Sequence, residues 1–358
     1  MADHTIIQSG GNFRVIPSGV TTHEALPAQT YTVQFSPMTG WSLEQVDDLD
    51  AGAEKVYGNH RSVVDRITRT YGELSRSLGV LFSGDKGMGK SLTIRMLAEK
   101  VKHELGLPVV LVNRDYEGIE AFLDTLGECF IVFDEFDKIF ESDDGYDNSQ
   151  SKFLGLFDGS SAQKRLYAVI VNRTHLTNQF LLNRPGRFHY HIRFDYPTSG
   201  EVEQYVRDNL PTVSDEDMEA IHRFCVRTPI NYDHLRAIVF EMRHGDTFED
   251  IIPFLNIKQS PGSLDYIVDV TFDDGTTKSQ RRPISVDSGS FVSFELNSVV
   301  ENGWVTIKLN LLDGVTDSGS LVFNKGSFTA TISTDTSEDS REVERVRLTL
   351  NPQTNINF

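Results

Sequence analysis

The run Gly84-Asp85-Lys86-Gly87-Met88-Gly89-Lys90-Ser91 follows the short apolar stretch Gly79-Val-Leu-Phe-Ser83 and precedes Leu92-Thr-Ile-Arg-Met-Leu-Ala98, whose apolar residues recur with a helical period. Strand, glycine-rich loop and helix in that order leave few folds open. Gly84, Gly87 and Gly89 permit backbone conformations that a Cβ forbids, so successive N–H groups can turn inward on an anion. The start of the following helix adds its dipole, and the anion this arrangement suits is the β-phosphate of a nucleotide. Lys90 can then reach the β- and γ-oxygens, and the Ser91 hydroxyl can ligate Mg²⁺. Asp85, Lys86, Met88 and Leu92 complete the expected loop around ATP.

A second signal is Cys129-Phe-Ile-Val-Phe-Asp134-Glu135, an apolar strand whose tip carries two adjacent carboxylates. Open α/β sheets bind ligands at the carboxyl ends of their strands, which puts both carboxylates beside the phosphates. Asp134 is expected to hold Mg²⁺, directly or through water, and Glu135 to polarise the attacking water as general base. Asp137 reads as an acidic turn after the strand. Further short apolar runs at 109–113, 168–171 and 190–194 alternate with helical stretches. The fold class is therefore α/β, a parallel sheet with crossover helices.

Changes of texture divide the 358 residues into four regions. Residues 1–55 are short β-like pieces such as Tyr31-Thr-Val-Gln-Phe35, and 56–196 form the α/β nucleotide-binding domain. Residues 197–258 carry the helix-start signals Thr198-Ser-Gly-Glu201 and Ser214-Asp-Glu-Asp217 and form a small helical domain. From 259 to 358, alternating strands such as Tyr266–Phe272, Trp304–Leu309 and Val343–Leu350 imply an all-β sandwich or open barrel. Charge is uneven, 34 Lys+Arg against 52 Asp+Glu, and the net −18 disfavours a broad nucleic-acid footprint. Cys129 and Cys225 sit in apolar runs without zinc or disulfide spacing, which suits a reducing compartment. No stretch is long enough to span a bilayer, and Met1–Gly11 lacks a basic segment followed by an apolar one, so a cytoplasmic location is expected.

With both motifs placed, the chain resembles the AAA+ ATPases, most closely the classical AAA clade of hexameric protein-remodelling enzymes. Phe153-Leu-Gly-Leu-Phe-Asp158-Gly159 is similar to the clade's apolar helix ending in Asp-Gly. Ala168-Val-Ile-Val-Asn172-Arg173 resembles its sensor-1 strand, and Leu182-Asn-Arg184-Pro-Gly-Arg187-Phe188 its arginine-finger motif. The likeness covers about residues 79–196, and the helical stretch to 255 fits the family's lid. It implies an AAA+ P-loop sheet with a helical lid, here flanked by a β-rich N-terminal segment and an all-β C-terminal domain. It also implies that Asn172 donates to the γ-phosphate or the lytic water, a task that suits an uncharged amide. Arg184 and Arg187 would act on the neighbour's ATP, so that the site needs a homo-oligomeric ring, expected to have six subunits. The small size and terminal β regions suit a bacterial or bacteriophage protein, the host's cytoplasm being its location in the latter case.

The sequence departs from the clade's pattern in three places. The usual acidic residue after sensor 1 has no counterpart in 176–182, Phe188-His189 stands where Phe-Asp is usual, and Ile230-Asn-Tyr-Asp233-His-Leu235-Arg236 replaces the lid's Gly-Ala-Asp-Leu. Arg236 could serve as a sensor-2 arginine or face solvent.

Asp115-Tyr116-Glu117-Gly118 resembles the aromatic-x-Gly pore loop of protein-threading members, which implies a protein substrate gripped by the Tyr116 ring, with Gly118 easing the loop. A second loop, Glu141–Asp147, is a further candidate for the channel. No degradative centre is visible, since His23-Glu24-Ala-Leu-Pro27 lacks a second histidine. His189 and His191 are expected to serve packing or an interface. Two other readings share the ATP site: a nucleic-acid motor or loader, and a scaffold whose ring ATP merely fixes.

Overall fold

The structure, a computed structural model, describes residues 4–9, 12–17, 21–52, 55–140, 150–157, 163–172, 186–257, 262–286, 291–297, 303–334 and 341–351. A hairpin of β1 (His4–Ser9) and β2 (Asn12–Pro17) comes first, its strands pairing with each other. β3 (Thr30–Ser36) and β4 (Gly40–Val46) form a second hairpin. The α/β elements are α1 (His60–Glu73), β5 (Leu78–Ser83), α2 (Lys90–Leu105), β6 (Val109–Val112), α3 (Ile119–Thr125), β7 (Phe130–Phe133), α4 (Phe136–Ile139), α5 (Leu154–Phe157), β8 (Leu166–Val171) and β9 (Tyr190–Arg193).

The strands lie in the order β4-β3-β6-β7-β8-β5-β9, all parallel except the edge strand β4. Every residue of β5, β7 and β8 is buried, which is why these strands read as unbroken apolar runs. The hairpin at 30–46, set apart with residues 1–55 on sequence grounds, joins this sheet instead. Thr30, Tyr31 and Thr32 of β3 pair in parallel with Val109, Val110 and Leu111 of β6. The alternation Tyr31, Val33, Phe35 announces a half-buried strand but says nothing about which sheet takes it.

Each face of the sheet has its own core. One face is covered by α1 and α2 through Val64, Ile67, Tyr71, Ile94 and Leu97. On the other, Phe133, Phe136, Phe140, Phe153 and Phe157 interlock, with Phe133 and Phe153 ring centroids 5.1 Å apart and edge to face. Burying each ring contributes about 2–3 kcal/mol, so this cluster is a major anchor of the strand tip at Phe133.

The helical domain comprises α6 (Ser199–Asn209), α7 (Asp215–Arg227), α8 (Tyr232–Met242) and α9 (Phe248–Ile251) around Val206, Ile221, Leu235 and Ile238. The start signals act as expected. Thr198 and Glu201 form a reciprocal capping box on α6, and Ser214 accepts from the Asp217 N–H on α7.

The C-terminal region is a β-sandwich, as its alternation implied. Among the described residues its strands are β10 (Gly262–Phe272), β11 (Thr277–Val286), β12 (Phe291–Leu296), β13 (Gly303–Asn310), β14 (Val315–Asp317), β15 (Ser320–Asn324), β16 (Phe328–Thr334) and β17 (Val343–Leu350). They form sheets ordered β11-β10-β17-β15-β14 and β12-β13-β16. The sandwich docks on the helical domain: Val226 of α7 belongs to its core, and the buried Tyr266 hydroxyl donates to the Val226 carbonyl at 2.9 Å. Among the described residues no helix is long and apolar enough to cross a membrane.

Candidate functional site

The strand order places β8 between β5 and β7, so the carboxyl ends of all three open on one cleft. From β5 comes the glycine loop, from β7 the Asp134-Glu135 pair, and from β8 Asn172. A cavity of about 780 Å³ is lined by Lys86, Gly87, Met88, Gly89, Lys90, Ser91 and Leu92 together with Asp134, Glu135 and Asn172. These are the residues that the sequence put at a phosphate site, and the fold brings them to one place. Gly84 and Asp85 adjoin them. The Lys90 ammonium folds back onto the carbonyls of Gly84 at 2.5 Å and Asp85 at 2.7 Å. The Asp85 carboxylate accepts from the Tyr196 hydroxyl at 2.7 Å, which ties the loop to the strand-to-lid connection.

Local packing explains how the acidic tip is presented. Phe133 and Phe136 flank the pair, both fully buried, and their rings meet edge to face at 5.8 Å. Glu135 is thereby held at φ +46°, a left-handed conformation that costs a non-glycine residue on the order of 1 kcal/mol. Its carboxylate lies 2.6 Å from Lys138 and 3.1 Å from Lys86. Hydrogen bonds from Lys138 and then Lys86 keep its pKa below the ordinary carboxylate range. Burial acts the other way on its neighbours, raising the Asp134 carboxyl and lowering the Lys90 ammonium.

Asp137 is not the exposed acidic turn expected of it. Its side chain is fully buried, and one carboxylate oxygen accepts from the Asn172 N–H at 3.2 Å. That bond fixes the tip of β8 to the helix that follows Glu135.

The helical domain closes the other side of the cleft. Asn231, the N-cap of α8, donates to the Lys86 carbonyl at 3.0 Å, and Tyr232, Asp233 and Arg236 line the cavity. Arg236 thus faces the cleft. Tyr57, Tyr205 and Tyr232 gather there from the linker, α6 and α8, with the Tyr57 and Tyr205 rings 4.9 Å apart. Such an aromatic wall suits a planar base. These tyrosines and His60 went unnoticed in the sequence because nothing but the fold draws three distant segments together.

Residues 80–196 match the family model described as ATPase family associated with various cellular activities (AAA). The chain carries an AAA domain. No match is found among curated proteins. The matched segment contains the glycine loop, Asp134-Glu135 and Asn172, the residues that meet at the cleft.

Other sequence candidates fall elsewhere. Arg184 and the loop Glu141–Asp147 lie outside the described residues. Arg187 is 9% exposed, and its carbonyl passes 2.2 Å from where a Cβ on Gly79 would stand, so only glycine fits there. Gly79 is near the start of β5, about 13 Å from the end of that strand that leads into the glycine loop. Tyr116 is half-buried, edge-on to Trp41 at 5.8 Å, and Trp41 stacks on Phe122 at 4.9 Å. Gly118 opens α3 at φ +80°. His191 binds the Ser83 hydroxyl at 2.7 Å and burial pulls its pKa down to about 4, whereas His189 is exposed. Among the described residues no three His, Cys, Asp or Glu side chains gather as a metal centre. A Mg²⁺ ion here would take Ser91 and Asp134, with phosphate oxygens supplying the remaining ligands.

Proposed function

We propose that the chain is an ATP-hydrolysing motor subunit that remodels, unfolds or assembles protein substrates, threading them through the pore of a homo-oligomeric ring of six subunits. The observation that carries the hydrolytic part is the convergence of Lys90, Asp134, Glu135 and Asn172 on one cleft of an AAA domain. The glycine loop and Lys90 hold the β- and γ-phosphates, and Ser91 with Asp134 holds the Mg²⁺ that neutralises developing charge. Glu135, ionised at neutral pH, accepts a proton from the attacking water, while the Asn172 amide orients that water or the γ-phosphate. Arg184 of one subunit serves the ATP of the next, whereas Arg187, expected to share that task, is buried in its own subunit.

The threading part rests on Tyr116, which stands in the loop after β6 at the same carboxyl edge of the sheet as the cleft. It is partly exposed, and Trp41 and Phe35 pack against its ring. Tyr116→Ala is expected to lower the unfolding of a tagged protein substrate at least tenfold while basal ATPase stays within about twofold. Unchanged unfolding would overturn the pore role. Stimulation of ATPase by DNA, with none by unfolded protein, would favour a nucleic-acid motor instead.

A further inference from the structure

His60 is the first residue of α1 and is 5% exposed, an unusual place for an imidazole. Its Nδ1 lies 2.7 Å from the Oγ1 of Thr93, itself fully buried, and that hydroxyl donates to the Gly89 carbonyl at 3.2 Å. A threonine has one hydroxyl proton. If it goes to Gly89, the Nδ1 of His60 must carry the proton of the first bond, which makes a directed chain from His60 through Thr93 to Gly89. The imidazole also packs on the backbone of Gly89: a Cβ there would stand 2.6 Å from the His60 Cε1. On its other side the ring meets Phe194 at 5.7 Å, and Glu201 of α6 is the charged group that acts on it.

Gly89 takes φ +89° as the N-cap of α2, so its orientation decides where the next two residues, Lys90 and Ser91, point. Three positions before His60 stands Tyr57 of the aromatic wall. His60 therefore joins the part of the cleft suited to a base to the part suited to phosphates. We propose that His60 is a positioning residue, which through Thr93 holds the last glycine of the phosphate loop in its nucleotide-binding conformation. This inference rests on the reading of the cleft as a nucleotide site.

The test is nucleotide affinity, measured with a fluorescent ATP analogue on the full chain, with melting temperature followed in parallel. His60→Phe keeps a ring without the donor, Thr93→Val keeps the shape without the hydroxyl, and Thr93→Ser restores the hydroxyl. His60→Phe and Thr93→Val are each expected to weaken binding about tenfold, and the double variant by about the same factor, because both cut one chain. Thr93→Ser should stay within about threefold of wild type. Multiplying losses in the double variant, or Thr93→Val binding as tightly as Thr93→Ser, would overturn the proposal. So would a weakening that simply tracks the fraction unfolded. Lys90→Ala separates the two levels: if it binds nucleotide as wild type does, the reading of the cleft falls and this proposal with it. If it loses binding while the His60 and Thr93 variants keep theirs, the positioning role alone falls.

Discussion

Glu135→Gln should lower steady-state ATP turnover about 10³-fold while nucleotide affinity stays within about threefold of wild type. The substitution preserves shape. Phe133 and Phe136 fix the turn from below, so a glutamine occupies the same left-handed position and loses only the basic oxygen. In the present arrangement Lys86 and Lys138 hold the carboxylate, and it must leave them to meet a water. Both pairs are solvent-exposed, with Glu135 at 40% and Lys86 at 69%, so water readily replaces either lysine. The same lysines depress the Glu135 pKa, and a depressed carboxylate stays ionised until the pH falls below its ordinary range. The base is thus available throughout neutral pH, and its contribution is lost only on acidification. Phosphate release and a nucleotide titration on the same samples check this, and undiminished turnover would remove Glu135 from the chemistry.

The second large effect concerns the neighbour. Arg184→Ala is expected to cut turnover by about 10³-fold or more with binding retained, as the loss of an arginine finger does. Lys90→Ala should be equally inactive for the opposite reason. Mixed in equal amounts before assembly, the two inactive proteins should recover about a quarter of wild-type turnover. In a head-to-tail ring, half of the sites keep Lys90, and half of those face a neighbour that keeps Arg184. A site complete within one chain would recover nothing. Arg184 is the cleaner position for this experiment because Arg187 is buried in its own subunit, where truncating the side chain also disturbs packing.

The phosphate site was legible in the sequence because its chemistry is local. Gly84 to Ser91 is one contiguous turn between a strand and a helix, and Asp134-Glu135 is one strand tip. The strands themselves were legible because buried parallel strands are continuous apolar runs, and β5, β7 and β8 are buried at every residue. What the sequence could not show is what depends on distant segments meeting. That β8 lies between β5 and β7, so that Asn172 stands over the pair, is a matter of strand order rather than of pattern. The assignment of Thr30–Ser36 to the sheet edge is of the same kind: alternation fixes which side chains face inward but not the partner strand. The tyrosine wall brings Tyr57 to Tyr205 and Tyr232, more than a hundred residues further along the chain, and aromatic residues at those positions look individually like ordinary surface or core. Asp137 was misjudged because carboxylates after a strand are mostly solvated, whereas here the Asn172 N–H donates to the buried side chain.

The most direct measurement is phosphate release from ATP in the presence of Mg²⁺ by the wild-type chain beside Lys90→Ala at equal concentration. Wild type is expected to turn over on the order of 1–10 s⁻¹, and Lys90→Ala to fall to background. Equal release by the two, or none by wild type, would contradict hydrolysis at this cleft.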